Sequence, residues 1–287
     1  MEQRRLGDTF VSALGLGGAQ WSLSDSRIDQ ESEALLRLAL ENGVTSVDTA
    51  AAYTTPDMDS HNEKLIARVL RDYVGDVVVG TKGGHYRLGD TWPIDGSPTG
   101  IRTNCEASLR ALEVTELDLF YLHKPDPKVP FEDSVAALEE LRLEGKVRRT
   151  GVSNVTAQQL AVALSMTPLS AVQNEFSPYA RHGAELMRMC AELSIAFLIY
   201  SPLGGPNRTN SLAETLPSTN AAAAAKGLSL ESVVLSWELA ASPAVIPIIG
   251  ASKRGSLMNS LTAATIELDE EIRDAIARDL GRIDGTD

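Results

Sequence analysis

The feature that most constrains the fold of this chain is a regular alternation of two sequence textures. Short runs rich in β-branched and apolar residues end in small or polar residues, and longer amphipathic stretches follow them. This alternation indicates βαβ units and a parallel sheet. The predicted strands span residues 13–17, 46–49, 77–81, 117–122, 148–152, 171–174, 196–200 and 245–249.

The amphipathic stretches supply a helix for every predicted strand, which makes eight strand–helix pairs. This strand–helix pattern continues along the chain, and no segment has a different pattern that would mark a second domain. It therefore predicts a single α/β domain over residues 1–287, folded as a (β/α)8 TIM barrel. Two half-apolar runs around Gly7-Asp8 predict an N-terminal hairpin over residues 4–14. Residues 269–280 predict an extra C-terminal helix, and residues 202–217, with Gly204, Gly205, Pro206 and Asn207, predict a long irregular loop. The predicted barrel helices span residues 31–42, 62–72, 131–144, 157–164, 184–193 and 254–261, with another from near Thr99.

A doubly wound nucleotide-binding sheet is the alternative α/β fold. Its phosphate loop would have to be Gly15-Leu16-Gly17-Gly18-Ala19-Gln20. Gln20 stands where the third glycine belongs, and no helix is predicted to open there. The closed barrel is therefore favoured.

Composition narrows the class of protein. A net charge of −13 argues against a nucleic-acid partner, because phosphate binding needs an excess of Lys and Arg, but it allows an anionic cofactor in a cleft. No apolar run has the length of a membrane span or a signal peptide, so we expect a cytoplasmic protein without membrane contact. Cys105 and Cys190 fall on apolar helix stripes and are predicted core residues. No cluster has metal-site spacing, so no metal is predicted; the oligomeric state is left open.

Four polar residues stand at or just beyond the ends of successive predicted strands. Asp48 ends the second strand and Tyr53 lies in the loop after it, whereas Lys82 and His123 follow the third and fourth strands. Reactive side chains of such barrels sit at the carboxyl ends of the strands. Closure of the barrel is therefore expected to bring the four side chains to one mouth.

The chemistry of these four residues is coherent. A free tyrosine titrates near ~10, and a lysine ammonium within reach lowers that pKa. Asp48 would hold Lys82 charged and oriented, and a neutral His123 would donate a hydrogen bond to a carbonyl oxygen. The set suits proton transfer to an oxygen while hydride arrives at carbon. Singly, the residues could be a loop cap, a rim aromatic, a solvated lysine and a structural histidine; together they favour catalysis.

The chain resembles the aldo-keto reductases along nearly its whole length. The resemblance implies the tetrad Asp48, Tyr53, Lys82 and His123, with Tyr53 as proton donor. The matching segments are Val47-Asp48-Thr49-Ala50-Ala51-Ala52-Tyr53, Asn62-Glu63-Lys64-Leu65, Thr81-Lys82, Leu117-Asp118-Leu119-Phe120-Tyr121-Leu122-His123, Glu144-Gly145-Lys146-Val147-Arg148, Gly151-Val152-Ser153-Asn154, Val172-Gln173-Asn174-Glu175-Phe176, Tyr200-Ser201-Pro202-Leu203 and Ile246-Pro247-Ile248-Ile249-Gly250.

Three departures from the family pattern stand out. Thr54 replaces the usual glycine after the tyrosine and opens an insertion over residues 54–60. Asn259-Ser260 replaces the Glu-Asn common near the end of the eighth helix. Seven residues follow Leu280, so the long C-terminal substrate loop of steroid- and sugar-type members is expected to be absent, as in bacterial-type members.

The resemblance implies a nicotinamide cofactor. Ser153, Asn154 and Gln173 would hold the carboxamide and Tyr200 would stack on the ring; Asn154 could instead cap the next helix, and Tyr200 could be a core aromatic. Gly250-Ala251-Ser252-Lys253-Arg254 opens a helix whose amides and cations would bind a 2′-phosphate, so NADPH is preferred to NADH, although Lys253-Arg254 could be a solvated face. The expected cofactor site also includes Gly18, Ala19, Asp48, Ser201, Leu203, Gly250, Ser252 and Ser260.

The expected substrate is a small carbonyl compound. Trp21, Tyr86 and Trp92 are expected to line its pocket with Tyr53 and His123, favouring flat or apolar molecules, and residues 122–130 are similar to those of bacterial members that accept pyridoxal or simple aldehydes. Reduction of aldehydes or ketones is the first prediction. A sugar or alcohol dehydrogenase working in reverse on the same site, and a slow-turnover NADPH-binding regulatory subunit, are the alternatives.

Overall fold

A closed barrel of parallel strands forms the centre of the molecule. The computed structural model describes residues 1–24, 28–89, 91–205 and 208–285. After an antiparallel hairpin of β1 (Gln3–Leu6) and β2 (Thr9–Ser12), the barrel strands are β3 (Gly15–Gly17), β4 (Ser46–Asp48), β5 (Val78–Gly83), β6 (Leu119–Leu122), β7 (Thr150–Ser153), β8 (Leu169–Glu175), β9 (Ala196–Tyr200) and β10 (Val245–Gly250). They pair in chain order, and β10 closes the ring against β3. The predicted TIM barrel and N-terminal hairpin are confirmed; a single domain over residues 1–287 stays a prediction.

Helices follow the barrel strands and surround the barrel. Ser97 caps the helix at Pro98 by accepting from the Gly100 N–H, and Thr156 with Gln159 forms a capping box. No helix in the described ranges is long and apolar enough to cross a membrane. The helices are α1 (Gln20–Leu23), α2 (Asp29–Glu41), α3 (His61–Leu70), α4 (Pro98–Leu112), α5 (Phe131–Leu143), α6 (Ala157–Leu164), α7 (Ala184–Glu192), α8 (Leu212–Thr215), α9 (Pro217–Ala225), α10 (Leu230–Ala241), α11 (Arg254–Thr262) and α12 (Glu270–Asp284).

The inside of the barrel is packed with side chains. Tyr121 on β6 is fully buried there, and Gly151 on the neighbouring β7 makes room for it. A Cβ at position 151 would lie 2.4 Å from the Tyr121 ring, far closer than atoms can approach, so any side chain at 151 would force the ring out of place. Leu6 and Val11 of the hairpin belong to the same buried cluster, so the hairpin closes the amino-terminal end of the barrel. The opposite end of the barrel, where the carboxyl ends of the strands lie, is the one left open for a ligand-binding site.

A second apolar layer lies between the barrel and the helices. Both cysteines are buried in it, as predicted, and neither forms a disulfide. Burial raises the pKa of the Cys105 thiol and of the Cys190 thiol to about 12, so both stay protonated at neutral pH. Protonated, buried thiols are poor nucleophiles, and the cysteines therefore serve packing.

Two predictions about local structure are wrong. A helix does open after the glycine-rich segment, but α1 has only four residues, too few for a periodic apolar pattern to reveal. Residues 202–217 are not irregular throughout, because Leu212 and Leu216 are buried against α9 and α12 and hold α8 in place. Pro206 and Asn207 of that stretch lie outside the described residues.

Candidate active site

Three neighbouring strands bring the four predicted catalytic side chains together. Asp48 is the last residue of β4, Lys82 lies near the end of β5, and His123 directly follows β6. These strands are hydrogen-bonded side by side, and Tyr53 lies in the turn that follows β4. This arrangement agrees with the expectation that closure of the barrel brings the four side chains to one mouth.

Lys82 and Asp48 form a buried ion pair at the base of the site. The Lys82 ammonium donates to Asp48 Oδ1 at 2.6 Å and to the Thr49 carbonyl oxygen at 2.8 Å. Gln173 Nε2 donates to the other carboxylate oxygen of Asp48 at 2.7 Å. Burial alone would lower the pKa of Lys82, but Asp48 and Tyr53 reverse this effect and leave it raised. Lys82 is therefore a fixed, charged ammonium at neutral pH.

Tyr53 lies beside that ammonium. The Lys82 Nζ atom is 5.2 Å from the centroid of the Tyr53 ring. Burial raises the pKa of Tyr53, the charge of Lys82 lowers it and the carboxylate of Asp48 raises it again, so the pKa ends above its usual value. The lysine acts in the expected direction, but it does not outweigh burial. Tyr53 consequently carries its proton at neutral pH.

His123 completes the group on the other side of the tyrosine. The Tyr53 and His123 rings meet edge to face with their centroids 6.0 Å apart. Burial lowers the pKa of His123 well below its usual value, and the charges of Lys82, His85 and Lys124 add to this effect. Its Nδ1 atom is buried without a hydrogen-bond partner among the described residues, which leaves Nε2 as the nitrogen able to reach an open site. A neutral imidazole of this kind can donate one hydrogen bond from Nε2.

A hairpin-like loop after β5 adds a histidine that the sequence analysis missed. His85 lies edge to face with His123 at 5.0 Å between ring centroids, and its ring Nε2 lies 2.9 Å from the Trp92 carbonyl oxygen. Of the predicted pocket aromatics, Trp21 and Tyr53 line the cavity, whereas Tyr86 and Trp92 do not. Tyr86 and Trp92 lie half-exposed on the loop, and the Trp92 ring packs against Arg87. The available signal was the position of His85, three residues beyond Lys82 at a strand end.

The predicted nicotinamide residues lie at or near the carboxyl ends of β7, β8 and β9. Asn154 adopts a left-handed backbone with φ of 59°, a strained conformation that non-glycine residues hold mainly where the surroundings enforce it. Its side chain accepts from the Tyr200 hydroxyl at 2.6 Å and donates to the His123 carbonyl oxygen at 3.0 Å. Thr156, not Asn154, caps the next helix, so the alternative role for Asn154 is wrong.

The predicted phosphate residues lie where β10 passes into α11. Lys253 precedes α11 and does not cap it with its side chain, so the amides of the first turn remain available. Arg254 is exposed and lies outside the cavity lining. Gly18 also lies outside it, but its N–H donates to the Asp48 carbonyl oxygen at 2.9 Å and its carbonyl accepts from Asn62.

A cavity of about 860 Å³ joins the two groups at the carboxyl end of the barrel. Predicted site residues outside its lining are Gly18, Lys82, Tyr86, Trp92 and Arg254. Residues that line it without having been predicted include His85 and Lys124 near the tetrad and Glu31, Ser32 and Leu35 on α2. The predicted residues that line it are Ala19, Trp21, Asp48, Tyr53, His123, Ser153, Asn154, Gln173, Tyr200, Ser201, Leu203, Gly250, Ser252, Lys253 and Ser260.

The arrangement can move a proton in the part of the cavity that Tyr53 and His123 line. Tyr53 and His123 offer hydrogen-bond donors to one oxygen, and Lys82 supplies a fixed positive charge behind Tyr53. Within residues 1–24, 28–89, 91–205 and 208–285, no three His, Cys, Asp or Glu side chains are grouped to hold a metal.

Comparison with known proteins identifies the class of protein to which this barrel and site correspond. The sequence model of the Aldo/keto reductase family matches residues 13–278. The chain belongs to this family and is an oxidoreductase.

Individual relatives agree with that assignment. An uncharacterized oxidoreductase of Schizosaccharomyces pombe is 33% identical over 275 residues, covering 93% of this chain and 86% of the relative. An aldo/keto reductase from Klebsiella pneumoniae, solved in complex with NADP and acetate, is similar with a TM-score of 0.82 and 26% identity, covering 96% of this chain and 94% of that one. The glycerol dehydrogenase of Gluconobacter oxydans, at 24% identity and a TM-score of 0.84 over 98% of this chain and 95% of its own, shares the fold.

Proposed function

We propose that this protein is an NADPH-dependent reductase that converts aldehydes or ketones to alcohols. The observation that carries the proposal is the convergence of Asp48, Tyr53, Lys82 and His123, with the 2.6 Å pair between Lys82 and Asp48 beneath the tyrosine. Bound NADPH would supply the hydride, which leaves the protein to deliver a proton to the oxygen.

The residues of the chain suit that proton transfer. His123 is neutral because burial lowers its pKa, so it would donate a hydrogen bond that orients the carbonyl oxygen. Tyr53, protonated at neutral pH, would transfer its proton to that oxygen, and the Lys82 ammonium would stabilise the tyrosinate that remains. Asp48 and Gln173 would keep the ammonium in place.

The fit of the cofactor rests on the chemistry of the cavity wall. Amide and hydroxyl side chains of Ser153, Asn154 and Gln173 lie on one stretch of it, suitable for a carboxamide, and Tyr200 offers an aromatic face nearby. Further along, the amides that open α11 and the cation of Lys253 suit a phosphate. The K. pneumoniae relative solved with NADP supports the same choice.

The test is an NADPH-oxidation screen across aldehydes, ketones, sugars and pyridoxal, repeated with NADH. We expect reduction of at least one carbonyl class with NADPH. Oxidation of alcohols or sugars with no carbonyl reduction would support a dehydrogenase instead, and NADPH binding with no turnover of any compound would support a regulatory subunit.

The variant Tyr53→Phe tests the proposed proton donor. It keeps the ring and removes the hydroxyl, so we expect kcat to fall by at least roughly 100-fold, the lower range of general-acid contributions. NADPH affinity, measured by fluorescence titration, is expected to stay within about twofold of wild type, since the ring is retained. A variant that keeps more than about a tenth of wild-type kcat would refute the role of Tyr53.

A further inference from the structure

The cavity has a cation near the tetrad that neither the proton transfer nor the cofactor explains. Lys124 follows His123 directly and lines the cavity together with Tyr53, His85 and His123. It forms no ion pair within the described part of the chain, whereas the Lys82 ammonium is held by Asp48. Its side chain is exposed and free to turn toward a bound molecule.

The order of the strands separates Lys124 from the proposed phosphate site. Lys253 follows β10 and Lys124 follows β6, and four steps around the eight-stranded ring divide these strands in either direction. The two lysines therefore stand on opposite sides of the barrel mouth. A cofactor phosphate bound near Lys253 would leave Lys124 for a different anion.

The remaining charges of the cavity wall agree with this separation. The carboxylates that line the cavity are those of Asp48, which is paired with Lys82, and Glu31, which lies on α2. The α2 helix packs against α11, and so Glu31 lies on the Lys253 side. Among the described residues, the wall near the tetrad thus carries an unpaired cation and no unpaired carboxylate.

Lys124 is also close to where a carbonyl would react. Consecutive Cα atoms lie about 3.8 Å apart, so the side chain of Lys124 leaves the backbone next to that of His123. Burial lowers the pKa of His85 and of His123, and the charge of Lys124 contributes to both shifts, as expected of an ammonium near both rings. A substrate whose carbonyl and carboxylate are joined by a short chain or one aromatic ring could therefore contact His123 and Lys124 together.

We infer that the preferred substrates are carbonyl compounds that carry a carboxylate, and that Lys124 binds this carboxylate opposite the cofactor. The inference rests on the proposed function, because it names a substrate class for the same site. Lys124 is a specificity-determining residue in this scheme and takes no part in proton transfer.

The experiment compares 4-carboxybenzaldehyde with methyl 4-formylbenzoate, which keeps the ring and the aldehyde but removes the charge. The kcat/KM of each is measured with NADPH for the wild type and for Lys124→Met, Lys124→Arg and Lys128→Met. Lys128 is an exposed lysine of the same loop that does not line the cavity, and so it is the matched control. Ratios between variant and wild type cancel the difference in intrinsic reactivity of the two aldehydes.

Lys124→Met is expected to lower kcat/KM for the carboxylate by about tenfold, as for one partly screened charge-assisted contact, and to change it for the ester by less than about twofold. Lys124→Arg should retain the preference, and Lys128→Met should leave it unchanged. Equal effects of Lys124→Met on both aldehydes, or an equal loss in Lys128→Met, would overturn the inference while the ester still reports carbonyl reduction. Reduction of neither aldehyde, nor of any other carbonyl compound, would overturn the proposed function together with the inference.

Discussion

Replacing Lys82 by methionine separates what the buried ion pair does for stability from what it does for chemistry. Lys82 is 1% exposed, and methionine keeps most of its apolar stem. The change leaves the Asp48 carboxylate buried with the Gln173 amide as its remaining side-chain partner. Removing one member of a buried pair typically costs about 3–5 kcal/mol, so we expect a loss of that order in the free energy of unfolding. We expect kcat for carbonyl reduction to fall by roughly 100-fold or more, because the tyrosinate loses its counter-charge.

The double variant Lys82→Met/Asp48→Asn is the matched control. It removes both charges, so we expect it to regain roughly 2 kcal/mol of the lost free energy of unfolding, since no uncompensated carboxylate remains. Its activity should stay low, because the ammonium beside Tyr53 is still missing. Urea unfolding gives the stabilities, and NADPH oxidation gives the rates. A double variant as unstable as Lys82→Met, or one that regains activity, would refute this account of the pair.

The pH dependence of the same comparison follows from the direction of the lysine shift. A group whose folded pKa is raised contributes stability fully below its unfolded pKa, near ~10.4 for lysine, and loses it as pH rises through the folded pKa. The stability difference between wild type and Lys82→Met/Asp48→Asn, in which neither member of the pair can titrate, is therefore expected to be flat across neutral pH and to shrink only under alkaline conditions. A difference that changed steeply near pH 7 would mean that Lys82 is not the charged partner.

Two further predictions concern cofactor choice and the core. In fluorescence titrations, Lys253→Ala should weaken NADPH binding by about tenfold and NADH binding by less than twofold. Arg254 lies outside the cavity lining, so Arg254→Ala should change the affinity for either cofactor by no more than about threefold. Equal losses for both cofactors in Lys253→Ala would contradict a 2′-phosphate contact. Burial raises the pKa of Glu238 well above its usual value, and neither carboxyl oxygen has a partner among the described residues. Wild-type stability should therefore fall by about 1.4 kcal/mol per pH unit between the unfolded pKa and the folded one. Glu238→Gln removes this term, so its gain in Tm over wild type should be larger at pH 7 than at pH 4.5, and an equal gain at both would contradict it.

The sequence predicted the barrel and the strand ends because both follow from local patterns. Alternating apolar runs mark strands without reference to the rest of the chain, and a parallel barrel places every strand end at the same mouth. Asp48, Lys82 and His123 could thus be grouped although they come from separate parts of the sequence. Tyr53 joined this group from its place in the loop after the second strand, and the resemblance to a known family added its role as proton donor and the cofactor residues.

The loops could not be predicted in the same way, because their conformations depend on contacts distant in sequence. The loop after β5 turns back on itself so that His85 faces the cavity, while Tyr86 and Trp92 face solvent. No periodicity specifies which residue of such a loop points inward. The hydrogen bond from Gln173 to Asp48 could not be predicted from local patterns either, because it joins two barrel strands that are not neighbours.

Hydrogen bonds join the proposed cofactor residues to the proposed proton-transfer residues across the mouth. Gln173 on β8 holds Asp48 on β4, and Asn154 holds both Tyr200 and the backbone of His123. Hydride and proton must reach atoms that are one bond apart, so fixing both sets of residues to one rigid barrel favours the reactive geometry. Each of these side chains takes part in a hydrogen bond to another residue of the site, so changing one removes a contact of its neighbour. In the part of the chain that the structure describes, Lys124 and Lys253 stand beyond the strand ends without such partners. We therefore expect substitutions there to alter the choice of substrate or cofactor while the geometry of proton transfer is preserved.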